Sequence, residues 1–145
     1  MDWHVFVTSM AEVEAARAGS AAGVADEAFF GRVRTYLARQ RAPAPVSAAA
    51  DFIHGLAAWN FAEAVRASSV LLPLAERGEH WLSPNLLREG TIAAQLRLGD
   101  AAGARATLNR LRESPGRGRG DMRGELLTAS VAAAEAAQRP PVAQR

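Results

Sequence analysis

Ser83–Leu111 reads SPNLLREGTIAAQLRLGDAAGARATLNRL, and this stretch decides the fold. Serine followed by proline is a helix start. The hydroxyl accepts a backbone N–H of the first turn, and proline, which has no N–H, loses nothing at the first helical position. From there Leu87, Thr91, Ala94 and Leu98 recur at the spacing of one helical face. Gly99 stands where the chain leaves the helix in a left-handed conformation, and Asp100 stands as the N-cap of a second helix. Ala104, Leu108 and Leu111 make that helix's apolar side. The stretch thus predicts two helices joined by a turn so short that they must run antiparallel.

The same grammar extends upstream. A helical pattern covers about residues 3 to 18, with Phe6, Met10, Val13 and Arg17 in register, and AGSAAG breaks it. Asp26 is a candidate N-cap for a second helix whose apolar face holds Phe29, Val33, Tyr36 and Leu37. Pro43 and Pro45 in RAPAPVS predict an extended link. Ser47 is the expected cap of a third helix carrying Phe52, Ile53, Leu56 and Ala57. Trp59-Asn60 marks a tight break. A fourth helix follows from Phe61 through Val65 and Leu72, bent or ended by Pro73.

Downstream, ESPGRGRGDMRGELL (113–127) separates the Asp100 helix from a last one starting after Asp121, with Leu127, Val131 and Ala134 on its face. Arg117, Arg119 and Arg123 among glycines resemble an RNA-binding tail. The segment is short and holds no aromatic on which a base could stack, so it reads as an interhelical joint. Arg119-Gly120-Asp121 is three residues and carries no weight as an adhesion signal. QRPPVAQR at the end is expected to fray. About seven helices result. Residues 1–46 form an N-terminal pair, 47–138 form hairpins with a C-terminal capping helix, and 139–145 form a tail.

Composition narrows the class. The chain has 145 residues, room for one real core. It has no cysteine, which excludes disulfides and thiol chemistry. All 17 basic residues are arginine, and alanine dominates the apolar fraction; both fit a GC-rich bacterial genome. Against 15 acidic residues the formal charge is only +2, which is no nucleic-acid-binding balance. The start, MDWHVFVTSM, has no basic n-region and its apolar run is too short to span a bilayer. The expected setting is cytoplasmic, or periplasmic if the chain is a fragment of an exported or membrane protein.

Leu98-Gly99-Asp100 with Ala104 four residues on resembles the turn and second helix of a tetratricopeptide repeat, in which a small alanine sits where two antiparallel helices pack closest. AWNFAEAVRA resembles the same turn one repeat earlier, with Asn60-Phe61 at the turn and Ala64 at the close-packed position. The resemblance covers about residues 47 to 115. The two alanines are about forty residues apart rather than thirty-four, and LAERGEHWLSP accounts for the excess. Ile92 and Gln95 depart from the family pattern. The resemblance implies an all-α fold of antiparallel hairpins stacked as a short solenoid.

Chemistry is sparse. His4, His54 and His80 lack metal-ligand spacing, and Glu12 and Glu14 cannot share a helix face. No phosphate loop is present, since GRGRGD lacks both a preceding strand and a Gly-Lys-Ser/Thr. His54 reads as a satisfied interhelical histidine, and Glu79-His80-Trp81 as a loop whose indole packs over the next hairpin. No cofactor, metal or catalytic residue is expected. The expected function is a non-catalytic protein–protein scaffold; the alternative is a helical accessory domain or subunit of a larger enzyme or membrane-associated complex. In the resembling family the first helix of a hairpin lines a groove. That implies Glu89, Ala93 and Arg97 as a partner-facing row, with Trp81 as an aromatic anchor.

Overall fold

The computed structural model describes residues 27–80, 82–114 and 122–140. These form six helices: α1 (Glu27–Arg39), α2 (Ala44–Ala57), α3 (Phe61–Glu76), α4 (Pro84–Arg97), α5 (Ala101–Arg112) and α6 (Met122–Gln138). No strand occurs among the described residues. The pattern over residues 3–18, the Asp26 cap and most of the glycine-arginine joint lie outside them, so the count among described residues is six rather than about seven.

The α4–α5 hairpin has the capping its sequence dictates. Ser83 Oγ accepts the Leu86 N–H at 3.1 Å, and Asp100 Oδ1 accepts the Gly103 N–H at 2.9 Å. The α2–α3 turn repeats this backbone. Ala58, Trp59 and Asn60 have φ of −92°, 59° and −90°, while Leu98, Gly99 and Asp100 have −80°, 75° and −89°. Asn60 Oδ1 accepts the Glu63 N–H at 3.4 Å, the same capping bond as at Asp100.

Each helix packs on its neighbours in sequence, and α6 also touches α4. Small residues set the approach. Ala64 and Ala104 are fully buried, as their place at helix crossings predicts. A Cβ on Gly55 would lie 2.6 Å from the Ala64 backbone nitrogen, so α2 and α3 meet backbone to backbone. A Cβ on Gly90 would lie 2.5 Å from Phe52 Cζ, which brings α4 against α2 as well as α3. Thr91 Oγ1 donates to the Leu87 carbonyl and lies 2.6 Å from Ser68 Oγ, so the two buried hydroxyls between α3 and α4 satisfy each other. One core gathers Leu37, Phe52, Leu71 and Leu87; a second joins Ile92, Leu108, Leu111 and Val131.

Four expectations need correction. Ser47 caps nothing: α2 already starts at Ala44 behind extended Pro43, and Pro45 lies in its first turn, where a missing N–H is harmless. Pro73 does not end α3, which continues to Glu76 because Leu71 and Ala75 on either side are buried. The loop after α3 is shorter accordingly. Leu98 is 50% exposed, since it is the C-cap of α4 and the chain there is already turning away from the core. Arg88 and Ile92 are buried instead, because α4 faces both cores.

Candidate functional site

Of the four residues singled out in the sequence, Trp81 lies outside the described residues. Glu89 is half-buried, while Ala93 and Arg97 are exposed on α4. Arg97 does not stand apart as one end of a row. Its guanidinium lies over the indole of Trp59, 5.5 Å from the ring centroid. This distance is that of a cation–π contact. Trp59 also stacks on Phe61, with centroids 6.5 Å apart and an interplanar angle of 26°. Trp59 is 51% exposed. Arg97 thus brings a cation from the end of α4 to the exposed indole of the α2–α3 turn, and Leu98, next in sequence, is half-exposed. Gln138 Nε2 donates to the Gly99 carbonyl at 2.5 Å and fixes the end of α6 to the same region.

Trp59 was legible in the sequence only as a break. Its importance appears in its backbone. A left-handed φ is a genuine outlier for a bulky side chain, while the equivalent turn uses glycine. Occupying that region costs a non-glycine residue roughly 1–2 kcal/mol. The turn needs no tryptophan, and Gly99 shows what it favours.

Two other polar groupings hold helices together. Arg34 Nη2 donates to His54 Nδ1 at 2.6 Å and to Glu63 Oε1 at 3.3 Å, with Asp51 3.8 Å from its Nε. His54 is buried, and its ring centroid is 4.3 Å from that of Phe30. The cluster joins α1, α2 and α3, the interhelical role expected of this histidine. In the second grouping, Arg88 reaches Glu76 Oε1 at 2.5 Å and Ser114 Oγ at 3.1 Å, linking α3, α4 and the end of α5. It borders an open cleft of about 640 Å³ that Arg110 and Glu113 also line. Two arginines face two glutamates there, so the cleft's own charges balance.

Glu79 bonds Arg77 at 3.0 Å, which holds its carboxyl below the usual range. His80 Nδ1 accepts the Leu82 N–H at 3.1 Å. Burial pushes its pKa down, opposed by contact with the Pro45 carbonyl. Among the described residues no group of three or more histidine, aspartate or glutamate side chains is placed to hold a metal, and no helix is long and apolar enough to cross a membrane.

No family model matches the chain, and neither a curated protein nor a solved structure shows significant similarity to it.

Proposed function

We propose that the chain is a non-catalytic protein–protein interaction module, built as a short tetratricopeptide-like stack of helical hairpins. Support for the stack comes from the two turns of matching backbone forty residues apart, each followed four residues on by a fully buried alanine. The contacts of α4 with α2 and with α6 are those of first helices in successive hairpins. Support for the interaction role rests on one observation: an exposed tryptophan is held in a strained left-handed turn where its counterpart is glycine. Strain of this kind points to a use for the side chain, and exposed aromatics are what interfaces concentrate.

The test is a photo-crosslinking amino acid placed at Leu98, and at exposed Ala102 as a control. Adducts are expected from Leu98 and not from Ala102. The captured protein, once identified and purified, is expected to bind the wild type and to lose Trp59→Gly, whose folding is verified by circular dichroism and urea unfolding. Equal adducts from both positions, or unchanged binding to Trp59→Gly, would remove the turn surface as the interface. One adduct of fixed stoichiometry favours an accessory subunit, and several exchangeable ones a scaffold.

A further inference from the structure

The end of α6 is anchored beside the hairpin turns. Gln138, its last residue, donates from Nε2 to the Gly99 carbonyl at 2.5 Å. Two residues before Gly99, Arg97 carries its guanidinium to 5.5 Å from the Trp59 ring centroid, so a single side chain bridges the α4–α5 turn and the α2–α3 turn. The indole there is 51% exposed on a left-handed residue. The chain leaves α6 through exposed Arg139 and Pro140, with the Arg139 N–H still bonded to the Ala136 carbonyl at 3.3 Å. Pro140, Pro141, Val142 and Ala143 follow as four uncharged residues. Two prolines in a row end a helix and favour extended chain. At the rise of a polyproline helix, residues 139–145 reach about 22 Å.

We infer that the chain's own segment Pro140–Ala143 rests on the Trp59 indole. Extended proline-rich segments dock on aromatic surfaces because their backbone is already ordered and their rings are flat and apolar. The segment starts at the anchored end of α6. A tether that short acts at an effective concentration on the order of millimolar, so a contact too weak to hold a free peptide still covers the ring. The consequence for function rests on the interaction reading above: a partner that docks on Trp59 must first displace the segment, which therefore lowers the partner's apparent affinity.

The experiment places a photo-crosslinking amino acid at Val142 of the purified full chain, with no other protein present. Adducts in the monomer band are mapped by peptide mass spectrometry. They are expected to concentrate on Trp59 and its neighbours in sequence, and to disappear in Trp59→Gly, whose folding is checked by circular dichroism. Fluorotryptophan labelling reads the same contact without a crosslinker. The Trp59 fluorine resonance, identified by its absence from Trp59→Gly, is expected to shift when Pro141→Gly and Val142→Asp are introduced together. Adducts scattered along the chain, adducts unchanged in Trp59→Gly, or a fluorine resonance that does not move would each overturn the inference. Adducts confined to a dimer band would assign the indole's cover to a second copy and overturn it as well. These readouts use no partner, so the tail contact and the interaction reading fail separately. A partner captured at Leu98 is expected to bind the double tail variant about twofold or more tighter than the wild type; equal affinity would overturn the displacement step.

Discussion

The Leu82 N–H donates to His80 Nδ1, and a ring protonated there has no lone pair left to accept it. The geometry and the burial agree, since both favour the neutral imidazole and lower its pKa. A histidine whose folded pKa is depressed binds fewer protons folded than unfolded, across the window between its folded value and about 6.5. Its contribution to stability is therefore complete above about pH 6.5 and is lost as pH falls through the folded value. His80→Asn keeps an acceptor near Leu82 and removes the titration. Urea unfolding from about pH 8 to about pH 5 is expected to show wild-type stability falling relative to His80→Asn on the acid side. A constant difference across that range would mean that the histidine is not held neutral. The sequence presented His80 as a loop residue beside Trp81, and nothing in it indicated that the ring would cap a backbone N–H. Trp59 was illegible for a related reason. Sequence rules identify left-handed positions by the glycine they favour, so Gly99 was read correctly and its tryptophan counterpart passed as a simple break.

Among the elements, glycine position separates packing from propensity. A Cβ at Gly55 meets backbone atoms of Ala64 and Asn60 at 2.6 and 2.8 Å, and backbone cannot swing aside as a side chain can. Gly55→Ala must push α2 and α3 apart and is expected to destabilise by on the order of 1–3 kcal/mol. Gly31 is exposed within α1 with nothing inside 4 Å of its Cβ position. Gly31→Ala is expected to stabilise by about 0.5–1 kcal/mol through helix propensity alone. Urea titration of both variants checks the pair, and a neutral Gly55→Ala would contradict the close α2–α3 approach. The caps of α4 and α5 were plain in the sequence because Ser83-Pro84 and Gly99-Asp100 each combine two consistent signals. The start of α2 and the end of α3 were not. A proline marks only a missing N–H. Whether that loss matters depends on the bond it falls on and on burial around it: Pro45 falls in a first turn, and Pro73 lies between buried Leu71 and Ala75.

At the scale of the molecule, an all-helical chain was legible from periodicity, but the order of packing was not, because alanine faces look alike and do not say which neighbour they meet. The structure supplies that order as contacts between helices adjacent in sequence, with α4 touching α6 and α2 as well. Such packing distributes stability unevenly. α2, α3, α4 and α5 have a helix on either side; α2 holds buried Ala49 and Phe52, and the next three hold the fully buried Leu71, Leu87, Ile92, Leu108 and Leu111. In α6 Val131 is fully buried, but Leu126 is largely exposed, and the Arg105–Glu135 ion pair on α5 and α6 is partly solvated. A surface pair of that kind is screened by solvent and adds little. When stability is a sum of local interfaces, helices at the ends open before those between them. Native-state hydrogen exchange is therefore expected to give the slowest amides in α2, α3, α4 and α5, with α6 opening at distinctly lower free energy. The Trp59 and Gly99 turns join helices of the protected set, so the proposed docking surface stays formed while α6 opens. Equal protection in all six helices would instead mean one cooperative core, and the neighbour-by-neighbour account of this fold would fail.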